Sequence, residues 1–216
     1  MASDDHLDDL LNQHGPGLLK KTDKCLGILR EAYTIGVPIL IAKSMTDRLA
    51  TSSGVAFHLG TPDPEMRRIA SWLFTVSKND YRLLLKLAKA AWKRHGREDM
   101  RLAGLILANI NPDFLSAGVW SILAGMLQKT EPLEALLESI EELARAGHQI
   151  PSDDELEGYC HGAEILHHFA VLILVVCCRR DDSELSETQK NIVKNRPPST
   201  ETMDRLAAMI LDEASQ

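Results

Sequence analysis

The chain has 216 residues with 24 Lys or Arg and 31 Asp or Glu, which gives a formal net charge of −7. Apolar types make up 44% and charged types 25%, values that exclude a mainly disordered chain or a collagen-like repeat. Four Cys exclude a disulfide scaffold. The acidic N-terminus lacks a secretory signal pattern, and the longest apolar run, at 169–178, is about half of what a membrane-spanning helix needs. We therefore expect a cytoplasmic protein.

Apolar residues recur every three or four positions along the chain, and alternating runs joined by two-residue hairpin turns are absent. This periodicity predicts an all-α fold of about ten helices. Cap signals set the boundaries: Asn79 is predicted to begin one helix, Gly96 to end it, and Asn111-Pro112 to begin another. The predicted helices are approximately 4–13, 18–33, 38–50, 63–76, 79–95, 97–108, 111–128, 130–147, 152–178, 186–195 and 200–213.

Short connections link these predicted helices, as they do in stacked helical hairpins. The sequence similarity between successive pairs is low, so any repeat is degenerate. The segment 169–178 is rich in β-branched residues, but there is no second strand to pair with it, and a buried helix is the better prediction. Glycines at 158 and 162 are candidate breaks in the long predicted helix before and through this segment.

Charge is distributed unevenly along the chain. Residues 61–110 carry ten basic and five acidic side chains, whereas residues 111–216 carry eight basic and nineteen acidic ones. In the predicted helix 79–95, four cations recur at steps of four, three and four and therefore share one face. Positive charge continues beyond the helix at Arg97 and Arg101. We call the four cations of the helix the basic stripe: Arg82, Lys86, Lys89 and Lys93.

Two interpretations of the basic stripe are open. The first is phosphate binding, since each neutralised phosphate releases a condensed counterion. On this interpretation the stripe supplies the first candidates for phosphate contacts, with Arg97 and Arg101 second. The second interpretation is a solvated face with counter-charges from an acidic neighbouring helix. The candidate counter-charges are Glu134, Glu138, Glu141 and Glu142.

Several residues around the stripe occur at spacings found in a known family. They are Leu59-Gly60, Pro64-Glu65, Arg67, Trp92, Arg97-Glu98 and Ala103. Over residues 55–110 the chain thereby resembles the AlkD-type DNA alkylation repair family. The resemblance implies a HEAT-like helical-repeat solenoid over residues 1–216, with a basic concave surface that holds duplex DNA. It also implies that Glu98 opens a repeat, where we expect a structural role and a pairing with Arg67 or Arg68.

Members of that family act as DNA-3-alkylpurine glycosylases, with a catalytic Asp carried by a Trp-Asp motif. No Trp-Asp dipeptide occurs in this chain, so we expect DNA binding with weak or absent glycosylase activity, and the catalytic residue is unknown. The alternative function is a protein–protein interaction scaffold, because helical solenoids present long surfaces to partners. The acidic C-terminal half favours that alternative.

One cluster has the composition of a metal site. His161, Glu164 and His168 fall on one face of a predicted helix, and histidine and carboxylate are zinc ligands. The alternative is a polar stripe whose histidines form ordinary hydrogen bonds, and this is the interpretation we favour. No metal and no other cofactor is predicted.

Overall fold

The computed structural model describes residues 2–35, 37, 54–181 and 184–213; the helix predicted over 38–50 lies outside them. Within the described residues the chain forms eleven α-helices and no β-strand, which confirms the all-α prediction. None of the described helices is long and apolar enough to cross a membrane. The helices are α1 (Ala2–Asn12), α2 (Thr22–Ala32), α3 (Asp63–Ser77), α4 (Tyr81–Arg94), α5 (Arg97–Asn109), α6 (Val119–Ala124), α7 (Leu133–Arg145), α8 (Asp153–Cys160), α9 (Glu164–Asp181), α10 (Glu187–Lys194) and α11 (Glu201–Glu213), with 3-10 turns at Pro16–Leu18 and Pro112–Phe114.

Packing divides the chain into two compact units, residues 1–116 and residues 117–216. In the first unit α4 packs along α5, α3 contacts both of them, and α2 packs on α4. In the second unit α9 is central and contacts α7, α8, α10 and α11. Helices adjacent in sequence thus pack together in both units, while the arrangement of all helices as one solenoid domain stays a prediction.

The ends of α4 differ from the predicted caps by one residue each. Asn79 has a left-handed φ of 58°, and Asp80 is the cap, whose side chain accepts a hydrogen bond from the Leu83 N–H at 3.3 Å. At the other end His95 ends the helix with a φ of 61°, whereas Gly96 has a φ of −80° and precedes α5. Asn and His are among the non-glycine residues that tolerate the left-handed region best, so no glycine is needed there.

Gly96 has a different role, which is close packing. The Arg97 N–H donates to the Phe57 carbonyl at 2.9 Å, and the Ala56 N–H donates to the His95 carbonyl at 2.7 Å. These bonds form an isolated parallel bridge between Phe57 and Gly96. A Cβ atom on Gly96 would overlap the Phe57 ring. The position therefore requires glycine for space rather than for backbone freedom.

The prediction of a single helix over 111–128 is wrong. Asn111 does act as a cap, since its side chain accepts from the Asp113 N–H at 3.0 Å, but it begins only a 3-10 turn. Leu115 then takes an extended conformation, with φ −97° and ψ 135°. Helix α6 begins only after Gly118. Gly118, in extended backbone before α6, is a poor helix former.

The second unit confirms the buried-helix prediction for its apolar segment. In α9, which contains residues 169–178, nine side chains are buried. A break at 161–163 separates α9 from α8, near the glycine at 162. The capping box of Ser152 and Glu155 is present at the start of α8. Helix α9 continues to Asp181, three residues beyond the predicted end at 178.

Candidate nucleic-acid interface

The four side chains of the basic stripe are exposed along α4. Because a helix rises about 1.5 Å per residue, Arg82 and Lys93 lie about 16 Å apart along the axis. The helix faces the protein with another set of residues, including Leu84, Ala88 and Trp92, all fully buried. Among the residues that the structure describes, none forms an ion pair or hydrogen bond with a stripe side chain. The stripe is thus a solvent-facing row of four like charges.

Three further lysines, which the sequence pattern does not indicate, lie close to Lys86 of the stripe. Lys86 lines an open depression together with residues from the beginning of α2, and one acidic residue, Asp23, lies among them. This contact depends on the packing of α2 against α4, so no local sequence pattern reveals it. We call this group the lysine depression; its cations are Lys20, Lys21, Lys24 and Lys86, all exposed.

The two second-rank candidates, Arg97 and Arg101, are less exposed than the stripe. Both are half-buried, and Arg101 forms an ion pair with Asp63. Burial by itself would raise the pKa of Asp63, but hydrogen bonds from Arg67 and Arg101 outweigh it and lower that pKa. Arg101 is therefore already engaged within the first unit, and the stripe remains the better candidate for phosphate contacts.

A network of buried polar groups fixes α4 against its neighbours. Arg94 Nη2 donates to Asp99 Oδ1 at 2.6 Å, its Nε donates to the other carboxylate oxygen, and its Nη1 donates to the Leu26 carbonyl at 2.8 Å. The Tyr33 hydroxyl also donates to Asp99 Oδ1, at 3.1 Å. Burial raises the pKa of Tyr33 well above its ordinary range, and the Asp99 charge adds to this. Bonds from the end of α2, the end of α4 and the start of α5 thus hold the stripe beside the lysine depression.

Glu98 is the second buried carboxylate of the first unit. Its side chain is fully buried, and its Oε1 accepts from the backbone N–H groups of Leu59 and Gly60, both at 2.9 Å. Gly60 has a left-handed φ of 80°, so Glu98 holds a tight turn. The structural role is as expected, but the expected partners are wrong. The two arginines form ion pairs elsewhere: Arg67 with Asp63, and Arg68 with Asp8.

The acidic helix proposed as a source of counter-charges is α7, in the second unit. Glu142 is buried and forms an ion pair with Arg145 of the same helix. Glu134 and Glu141 are exposed. At least one of the four candidate counter-charges is therefore engaged within its own helix.

The histidine cluster of the second unit does not converge on a metal position. His161 and Glu164 are exposed, while His168 Nε2 donates to the Pro197 carbonyl at 3.2 Å. Nowhere in the described part of the chain do three or more His, Cys, Asp or Glu side chains group as metal ligands. The hydrogen bond of His168 instead links α9 to the segment before α11.

The tryptophans offer little recognition surface. Trp92 is fully buried and Trp120 is 5% exposed, with its indole N–H donating to the Gln149 carbonyl at 2.7 Å. Trp72 is half-buried. Trp92 and Trp120 thus belong to the buried core.

Comparisons of the chain with protein families, with curated proteins and with solved structures find no match.

Proposed function

We propose that this protein binds duplex DNA, without strong sequence preference, through the basic stripe and the adjoining lysine depression. The observation that carries the proposal is the stripe itself: four exposed cations in a row of about 16 Å, with no carboxylate partner among the described residues. On a helix, like charges at steps of three and four repel one another by a few tenths of a kcal/mol per pair. A bound polyanion neutralises these charges and thereby removes the repulsion.

The phosphate backbone of a duplex suits this surface better than a single small anion does. Duplex DNA advances about 3.4 Å per base pair, so a row of about 16 Å spans roughly five base pairs. Lysine and arginine contacts to phosphate position a protein without reading sequence. If the stripe contributes four such contacts, the logarithm of the binding constant falls with the logarithm of salt concentration with a slope of about −3.6, and the lysine depression makes the slope steeper.

The test is a fluorescence-anisotropy titration of a labelled duplex at several salt concentrations. We expect binding at low salt, and we expect Lys86→Gln/Lys89→Gln to reduce the magnitude of the slope by about 2. The matched control is Lys129→Gln/Lys194→Gln, which removes two exposed lysines of the second unit and should leave the slope unchanged. Absence of binding at micromolar protein and low salt would overturn the proposal and favour the interaction scaffold.

A HEAT-like repeat array is the arrangement we propose for this surface. It is supported by the packing of successive helices in each unit and by the short connection from α4 to α5, residues 95 and 96. In such arrays each hairpin buries its apolar face against its neighbours. Small-angle X-ray scattering tests the proposal: a scattering profile of two freely moving globules would contradict a continuous array.

Base excision does not form part of the proposed function. Cleaving the bond to an alkylated base develops positive charge on the sugar, which a fixed carboxylate stabilises, and the chain lacks the Trp-Asp motif that carries this group in the family it resembles. The assay is release of 7-methylguanine or 3-methyladenine from alkylated DNA by excess protein. Release well above the spontaneous rate, abolished by one Asp→Asn change, would contradict this and identify the carboxylate.

A further inference from the structure

The most exposed large apolar side chain described in the first unit lies near the N-terminal end of α4, the helix that carries the basic stripe. Phe114 is 68% exposed. Its ring centroid lies 5.1 Å from that of Tyr81, at an interplanar angle of 42°. Tyr81 is the first residue of α4 and directly precedes Arg82, the first cation of the stripe. An exposed aromatic ring therefore lies at the end of α4 where the row of cations begins.

The position of the Phe114 backbone is fixed by short-range contacts. The Phe114 N–H donates to the Asn111 carbonyl at 3.1 Å, and the Leu115 N–H donates to the Pro112 carbonyl at 2.9 Å. Pro112 restricts the backbone further, because its ring fixes φ. The supporting Tyr81 ring is half-buried. A ring held in this way loses little conformational freedom when a flat partner stacks on it.

Single exposed apolar residues are common and need no partner by themselves. Here the neighbouring charge selects the partner, because a protein surface that matches the stripe would have to be acidic and would still need an apolar pocket for the ring. Nucleic acid supplies both features, with phosphates for the cations and flat bases for the ring. Base–aromatic stacking contributes about 1–3 kcal/mol per base and tolerates any sequence.

We propose that Phe114 stacks on bases where the continuous stacking of a duplex is interrupted, so that the protein prefers gapped DNA to intact DNA. The inference rests on the proposed DNA binding and deepens it. In an intact duplex, insertion of an aromatic ring requires unstacking a base step, which costs a few kcal/mol. At a gap that cost is absent. Arg82, which follows Tyr81 in α4, is the first stripe cation from this end and the candidate for a phosphate contact next to the gap.

The experiment compares two labelled duplexes that differ only in a short single-stranded gap, with 2-aminopurine placed in the gap. Wild-type protein should bind the gapped duplex about fivefold more tightly or better, the lower end of the stacking contribution, and should change the 2-aminopurine fluorescence. Phe114→Ala should lose both effects while it keeps the affinity for intact duplex and its salt slope. Phe114→Trp should retain both effects, because indole also stacks.

The control variant is Ile150→Ala, which removes an exposed apolar side chain of the second unit and should change neither effect. Equal wild-type affinity for both duplexes, or an unchanged gap preference in Phe114→Ala, would overturn the inference. If intact duplex is still bound with a steep salt dependence, only this inference fails. If neither duplex is bound, the proposed function fails with it.

Discussion

The two units distribute their charges in opposite ways. The first unit has sixteen basic and thirteen acidic residues, and it buries two of the carboxylates, Glu98 and Asp99, completely. The second unit has eight basic and eighteen acidic residues, and its centre is the apolar helix α9. Because these two carboxylates lie inside the first unit while its basic stripe is exposed, the surface is more positive than the composition indicates. Net charge alone therefore underestimates how well a region can attract a polyanion.

The two units also differ in the polar contacts that add to their apolar cores. In the first unit, buried hydrogen bonds such as those of Arg94 to Asp99 and Leu26 add to the apolar packing between helices. Removing one member of such a network leaves a buried polar group without its partner, which costs more than losing a surface contact. In the second unit α9 packs by apolar contact, and two of its side chains also donate hydrogen bonds to later segments: His167 to the Ile192 carbonyl at 2.8 Å and His168 to the Pro197 carbonyl at 3.2 Å. Single substitutions can test whether the units differ in this way.

The largest effect is expected from Glu98→Ala. The change leaves the buried N–H groups of Leu59 and Gly60 without an acceptor, and each such group costs about 1–3 kcal/mol. We expect the free energy of unfolding to fall by about 3 kcal/mol, as measured by chemical denaturation, with DNA affinity unchanged in folded protein. The control Glu157→Ala removes an exposed carboxylate of the second unit and should change little. An unaltered midpoint for Glu98→Ala would contradict the role assigned to Glu98.

The next largest effect on stability is expected from Gly96→Ala, and Gly27→Ala in the same unit serves as its comparison. Gly96→Ala places a methyl group where the Phe57 ring lies, and overpacking of this kind costs about 1–3 kcal/mol. Gly27→Ala, in the exposed middle of α2 and with no neighbouring atom near the new Cβ, should instead stabilise the protein by about 0.5–1 kcal/mol. Thermal melting of the two variants provides the comparison. Shifts of the same sign would show that the packing of Phe57 on Gly96 is not tight.

Gly96 also shows how much of the fold can be predicted from the sequence. The pattern of apolar residues predicts most helices, since periodicity depends only on neighbours along the chain. The reason for Gly96 is a ring from Phe57, 39 positions earlier, and such a contact has no local signal. The same limit applies to the caps of α4, where Asp80 and His95 act one residue away from the predicted positions. Several neighbouring residues can serve as a cap, and tertiary contacts decide between them.

The candidate site likewise has one part that the sequence predicts and another that depends on packing. The basic stripe is a helical pattern, so the sequence predicts which cations share a face, and the structure shows them exposed. The lysine depression requires α2 to pack on α4, and the ring of Phe114 is exposed because the helix expected over 111–128 stops after one turn. Local spacing reveals charges on one helix. It does not reveal residues that become neighbours only through packing.

The smallest expected effects come from removing one helix cap in each unit and comparing the losses of local stability. Ser186 Oγ accepts from the Gln189 N–H at 3.1 Å within a capping box and also donates to Asp153 of α8 at 2.8 Å. Asp80 makes one longer cap bond, at 3.3 Å, to the Leu83 N–H. Loss of a cap costs about 0.5–2 kcal/mol, so we expect Ser186→Ala near the upper end and Asp80→Ala near the lower end of that range. Hydrogen exchange is the measurement, because it reports the opening of α10 and of α4 separately. Equal losses, or a larger loss at Asp80, would contradict the view that hydrogen bonds outside the apolar centre secure the second unit.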